Sequence, residues 1–167
     1  HGGVALFPQR GRERTDVLGR VADQLVVDHA RQVIDVLPER GHVTPGALVV
    51  GTDSHTTTHG ALAAAGTGIG TSEMAYVLAT GKLWFRVPET IRFELAGALA
   101  PMVSWKDVIL AISGRFGDDV AQYKAVEFAG PAAADASVAD RLTVCNMAVE
   151  IGAKFGFFAA DETALAY

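Results

Sequence analysis

A short polar stretch, residues 51–60, contains side chains that can transfer protons. Asp53, Ser54 and His55 are consecutive within it, and His59 follows four residues later. An aspartate beside a histidine can fix the tautomer of the imidazole and favour its protonated form, as general acid–base catalysis requires. The alternative is that these side chains hydrogen-bond the backbone of a loop, and the spacing alone does not decide between the two.

The same stretch could instead hold a metal ion, because His55 and His59 are four residues apart and Asp53 is nearby. Such a spacing places two imidazoles on one face only within a helix. The three consecutive threonines between the histidines are poor helix formers. A mononuclear metal hydrolase is therefore the less favoured interpretation.

Two further residues could do chemistry elsewhere in the chain. Glu127 stands in the apolar stretch 125–130, where a carboxylate either lies on the exposed face of a strand or is functional, and exposure is favoured. Cys145 is the only cysteine of the chain, so no internal disulfide can form. A buried, unreactive thiol is the ordinary state of such a residue.

The composition excludes several classes of protein. The chain has 167 residues, of which 50% are hydrophobic, and a formal net charge of −5. These values suit a folded domain with an apolar core, and they argue against partners such as nucleic acid or an anionic membrane, which favour a basic surface. No stretch approaches the roughly 20 apolar residues of a membrane span, and no signal pattern is present. We therefore expect a cytoplasmic protein.

The elements that must position these residues alternate between strands and helices. The apolar run 47–50 predicts a buried parallel strand, and 51–60 is then the loop at its carboxyl end, where open α/β sheets bind ligands. Residues 1–16 lack any periodicity and are interpreted as a loop or linker. Further strands are predicted at 91–95 and 125–128, with a short alternative strand at 25–27, and helices at 17–36, 71–83, 104–112 and 137–154. This order predicts an α/β fold with a mostly parallel sheet.

Several longer motifs, taken together, resemble the aconitase family of hydro-lyases. They stand in the family's order across about residues 36–163, at 49–61 (VVGTDSHTTTHGA), 68–70, 79–82, 84–91 (WFRVPETI), 125–130 (AVEFAG) and 142–154 (LTVCNMAVEIGAK). The resemblance implies α/β/α layers over 36–167, incomplete relative to the family, after an irregular or shortened segment at 1–35. It also implies the dehydration and rehydration of a hydroxy di- or tricarboxylate, with isopropylmalate of leucine biosynthesis or homocitrate favoured over citrate.

The resemblance assigns roles to single residues. Asp53 and His55 match the acid machinery that protonates the leaving hydroxyl, and Ser54 matches a serine that binds substrate. Glu127 matches a glutamate close to iron-bound oxygens. Cys145 matches the first of three cysteines that hold a [4Fe–4S] cluster, whose fourth iron binds the substrate as a Lewis acid.

The chain also departs from the family's pattern. Asp28 and His29 resemble an upstream Asp-His motif, but they stand much closer to Leu37 than that motif does in the family. The Cys-x-x-Cys pair is absent, and so is the small, swivelling subunit or domain that supplies a serine base and arginines. We therefore expect part of a large subunit that needs this partner and a hydroxy-carboxylate substrate, is inactive alone and holds at most an incomplete cluster. The alternative is a truncated, non-catalytic paralogue or binding domain.

Overall fold

The computed structural model describes residues 4–6 and 33–167, and the strands in this part of the chain form two small sheets. The first sheet carries the polar stretch described above. Its strands are Val4–Leu6 (β1), Leu48–Gly51 (β2) and Ala65–Gly68 (β3), in the order β1-β2-β3. Strand β1 runs antiparallel to β2, and β2 runs parallel to β3. The strand predicted before the polar stretch is confirmed within one residue, whereas β1 contradicts the interpretation of the N-terminus as a loop throughout.

The second sheet has the order β4-β5-β6, and both of its strand pairs are parallel. Its strands are Thr90–Glu94 (β4), Ala125–Ala129 (β5) and Phe155–Phe158 (β6). The predicted strands at β4 and β5 are confirmed. The third strand was not predicted, because the helical pattern continued to its first residue. Helices and mainly parallel strands confirm the α/β class.

Helices connect these strands and cover them. They are Val33–Glu39 (α1), Thr71–Thr80 (α2), Trp105–Phe116 (α3), Pro131–Asp135 (α4), Val138–Asn146 (α5) and Glu162–Leu165 (α6), together with two 3₁₀ helices, Ser54–Leu62 and Met147–Ile151. The predicted helices that became α2, α3 and α5 are confirmed, although α5 ends early and continues as the second 3₁₀ helix. Most of the first predicted helix and the alternative strand at 25–27 lie outside the described residues. None of the described helices is long and apolar enough to cross a bilayer.

The helix starts follow local capping rules. Ser104 precedes α3, and both its backbone N–H and its hydroxyl donate to Asp107 Oδ2, each at 2.7 Å. Ser137 precedes α5, and its hydroxyl accepts a hydrogen bond from the backbone N–H of Asp140 at 3.2 Å. Such side chains pair donors that the first turn of a helix leaves without an intrahelical partner.

The first 3₁₀ helix packs between the two sheets. Its residues contact β3, β6 and α5, and Ala61 belongs to the largest apolar cluster together with Val126, Phe128 and Phe158. The approach is close because Gly60 lies against the backbone of β6, where a Cβ atom would overlap the carbonyl oxygen of Gly156. The residues that could do chemistry are therefore attached to a rigid, buried element.

Candidate active site

Asp53 directs the chain from the end of β2 into the first 3₁₀ helix. Its Oδ1 accepts a hydrogen bond from the backbone N–H of His55 at 2.8 Å, which makes it the N-cap. The hydroxyls of Thr56 and Thr58 donate to the carbonyls of Asp53 and His55 three residues earlier, both at 2.6 Å. The prediction of a loop at 51–60 is therefore wrong over most of its length, because these threonines stabilise a 3₁₀ helix with their own hydroxyls.

The imidazole of His55 lies between two carboxylates. Asp53 Oδ1 stands 3.1 Å from Nδ1, and Glu150 Oε1 stands 3.8 Å from Nε2. A carboxylate at this distance pairs with an N–H on Nδ1, which leaves Nε2 on the side of Glu150. The three side chains are 41–61% exposed, so a substrate can reach them. Sequence reasoning missed Glu150, which stands in the 142–154 motif without any local sign that it neighbours His55.

A pocket of about 290 Å³ lies at the carboxyl ends of β2 and β3. Ser54, the residue between Asp53 and His55, lines it, whereas neither of those two residues does. We call it the strand-end pocket, and the lining residues used below are Thr52, Ser54, Thr57, Thr67, Gly70 and Glu73. Ser54 therefore lies where a serine could bind a ligand. The location agrees with the rule that α/β sheets bind ligands beyond the carboxyl ends of parallel strands.

His59 lies inside the protein, in contrast to His55. It is 1% exposed, and its Nδ1 has no hydrogen-bond partner within the described structure. Burial lowers the pKa of His59 from 6.5 to about 4, because the charged ring would lose its hydration. Among residues 4–6 and 33–167, no group of three His, Cys, Asp or Glu side chains is arranged to hold a metal ion. Asp53, His55 and His59 thus do not form the mononuclear site considered above.

The buried His59 predicts a specific pH dependence of stability. The unfolded state binds a proton on His59 below about pH 6.5 and the folded state does so only near pH 4, so stability falls as the pH falls between these values. Urea unfolding at pH 7 and pH 4.5 should show a loss of about 2 kcal/mol that His59→Leu abolishes. The control His42→Asn, which removes a half-buried histidine elsewhere, should retain the loss. An unchanged pH slope in His59→Leu would show that the ring is not buried in its neutral form.

Cys145 does not fit the role of a cluster ligand as it is placed here. The side chain is 0% exposed and packs with Val144, Ala148 and Phe158 in the largest apolar cluster. Burial raises the pKa of the Cys145 thiol, whereas metal binding requires a thiolate. No second cysteine exists in the chain to share a cluster.

Glu127 lies in a different pocket from the Asp53–His55 pair. It stands on β5, where Arg92 Nη1 of the neighbouring strand approaches its Oε1 to 3.3 Å. The cavity there, of about 330 Å³, is also lined by Arg141 and Asp161 and shares no lining residue with the strand-end pocket. The structure thus brings Asp53, Ser54 and His55 together and leaves Glu127 apart, and the role of Glu127 stays a prediction.

The remaining candidates, Asp28 and His29, lie outside the described residues. Arg141, which is buried and lines the same cavity as Glu127, was not predicted as part of any site. Its guanidinium binds both carboxylate oxygens of Asp161 at 2.7 Å, and it also donates to the carbonyls of Ala134 and Ala136. This pairing lowers the pKa of Asp161 and satisfies the arginine within the fold. Arg141 is therefore a structural residue that ties α6 to α5.

A comparison of the chain with known families agrees with this fold and with the position of the Asp-Ser-His stretch. The profile described as "Aconitase family (aconitate hydratase)" matches residues 12–167, and the chain therefore belongs to the aconitase family.

Its relatives are described as large subunits of one dehydratase. The chain is 61% identical over 132 residues to the probable 3-isopropylmalate dehydratase large subunit of Methanothermobacter thermautotrophicus, covering 79% of this chain and 32% of that protein. It is 56% identical to 3-isopropylmalate dehydratase large subunit 1 of Methanopyrus kandleri, with the same coverage of both chains. To large subunit 1 of Archaeoglobus fulgidus it is 45% identical, over 95% of this chain and 35% of that protein. The chain thus spans about a third of the length of these relatives.

Proposed function

We propose that this chain is the part of a hydro-lyase large subunit that supplies the proton-transferring pair for dehydrating and rehydrating a hydroxy dicarboxylate. The observation that carries the proposal is the Asp53–His55 pair, 3.1 Å apart, on either side of Ser54, which lines the strand-end pocket. The descriptions of the relatives favour 3-isopropylmalate as the substrate. They also favour a small subunit as the partner, since each relative is described as a large subunit.

The pair performs the proton transfer to and from the departing hydroxyl, and the proton lost from carbon goes to the serine base that the resemblance places in the small subunit or domain. Asp53 holds Nδ1 of His55, so that Nε2 carries the proton that moves to the departing hydroxyl of the substrate. In the rehydration step, the neutral ring accepts a proton from water through the same nitrogen. Ser54, which lines the pocket, binds an oxygen of the substrate.

The resemblance implies that the complete enzyme carries a [4Fe–4S] cluster, which would polarise the departing hydroxyl. Cys145 in its buried position does not supply that group. The contribution that we derive for this chain is therefore limited to binding the substrate and moving the proton.

Reconstitution tests the proposed function. A large subunit that carries this segment is produced without oxygen together with its small subunit, and the unsaturated product of 3-isopropylmalate is followed by its ultraviolet absorbance. We expect turnover by the complete enzyme and none by the 167-residue chain alone, because a single cysteine cannot hold a cubane cluster. Turnover by the chain alone would contradict the need for the missing parts. No turnover by the loaded complete enzyme would favour a non-catalytic paralogue.

A further inference from the structure

We propose that Thr57 is a second substrate-binding hydroxyl in the strand-end pocket, which binds a carboxylate oxygen of the hydroxy dicarboxylate together with Ser54. This inference rests on the proposed function and deepens it. Neither the motifs nor the relatives assign a role to Thr57.

The hydroxyl of Thr57 is the exception among three consecutive threonines. Thr56 and Thr58 each donate to the carbonyl three residues earlier, at 2.6 Å. Thr58 also accepts a hydrogen bond from the Asn146 side chain at 2.9 Å. Thr57 is 2% exposed, and within the described structure its Oγ1 has no hydrogen-bond partner. Since buried hydroxyls are nearly always paired, this one calls for a partner that is not part of the fold.

Thr57 lies on the same side of the 3₁₀ helix as Ser54, where both side chains can contact one ligand. A 3₁₀ helix has about three residues per turn, so the side chains at 54 and 57 lie directly above one another. Both residues line the strand-end pocket. The oxygen of Thr57 is covered by neighbouring atoms. Rotation about the Cα–Cβ bond exchanges its position with those of the other substituents, and threonine in helices populates two such rotamers.

The start of a helix contributes a partial positive charge at the pocket. Gly70, which lines it, is the N-cap of α2, whose ten residues present the positive end of a helix dipole. Glu73 partly neutralises this positive end, because its Oε2 accepts a hydrogen bond from the Gly70 N–H at 2.8 Å. The ammonium of Lys154 donates to the carbonyl of Gly68 at 3.3 Å and interacts electrostatically with Glu73, so the two charges offset one another. A hydroxyl donor beside a helix start is suited to bind an anionic oxygen.

Binding of 3-isopropylmalate to the 167-residue chain tests this inference without requiring turnover. Isothermal titration compares the parent with Thr57→Val, which keeps the shape of the side chain, and with Thr57→Ser, which keeps the hydroxyl. We expect Thr57→Val to weaken binding about tenfold or more and Thr57→Ser to stay within about threefold of the parent. Thr143→Val, which removes a hydroxyl that donates to the Ala139 carbonyl in α5, is the control and should bind like the parent.

Two further measurements separate this inference from the function on which it rests. Isopropylsuccinate, which lacks the substrate hydroxyl, should lose the same factor in Thr57→Val, because the contact is with a carboxylate. Thr57→Val should also melt at a higher temperature than the parent, since it removes an unpaired buried hydroxyl. Equal binding by Thr57→Val, or no binding by the parent at millimolar ligand, would overturn the inference. Neither result would touch the turnover test of the complete enzyme.

Discussion

Asp53→Asn and His55→Ala are each expected to lower the kcat of a complete enzyme carrying this segment by about 10²–10⁴-fold, with KM within about threefold of the parent. The proton moves only in the transition state, so the loss appears in kcat. Asp53→Asn removes the charge beside Nδ1 of His55, and His55→Ala removes the proton donor itself. The measurement is kcat per intact cluster, so that loss of cofactor is not counted as loss of catalysis.

Asp53 also caps the 3₁₀ helix, so both variants need a stability control. Melting temperatures of the same preparations show how much of any loss is unfolding. Asp118→Asn and His42→Ala make comparable substitutions outside the site and should leave kcat unchanged. If Asp53→Asn and His55→Ala retain kcat per intact cluster within a few-fold of the parent, these side chains serve the loop backbone and not the reaction.

Gly60→Ala is expected to destabilise the chain by more than about 3 kcal/mol, enough to unfold much of it. A methyl group at this position overlaps the carbonyl oxygen of Gly156, which belongs to the backbone of β6 and cannot rotate away. The 3₁₀ helix would therefore have to move away from the second sheet. Urea unfolding followed by circular dichroism measures the loss.

Gly114→Ala is the matched control for that substitution. Gly114 lies within α3, and a Cβ atom there meets nothing within 4 Å. Alanine at an unobstructed helical position stabilises by about 0.5–1 kcal/mol. A Gly60→Ala variant as stable as Gly114→Ala would mean that the 3₁₀ helix does not lie against β6 as closely as described.

Local patterns predicted those parts of the fold that depend on neighbouring residues. Strand β4 shows alternation, and α3 begins at a serine followed three residues later by an aspartate that caps it. The first 3₁₀ helix was mistaken for a loop because its polar threonines are paired by their own hydroxyls, which composition does not reveal. Strand β3 was missed because its sequence AGTG consists of small residues. Strand β6 was missed because the predicted helix 137–154 runs up to it and because a glycine interrupts its sequence, FGFF.

Within the candidate site, too, the contacts between sequence neighbours could be predicted and the tertiary contacts could not. The contact between Asp53 and His55 spans two residues and follows from their adjacency. Glu150 reaches the same imidazole only because the second 3₁₀ helix packs against the first, which is a tertiary contact. The unpaired hydroxyl of Thr57 could not be predicted either, because its two neighbours are also threonines and their hydroxyls are hydrogen-bonded.

The first 3₁₀ helix places two kinds of selective pressure on nine consecutive residues. Its beginning faces the pocket, whereas Gly60 and Ala61 pack between the sheets. Natural selection would therefore hold both ends nearly invariant, one for chemistry and the other for folding. A comparison of related sequences would show a single uninterrupted block, and its invariance alone would wrongly count Gly60 among the catalytic residues. Only separate measurements of rate and stability divide the block into its two parts.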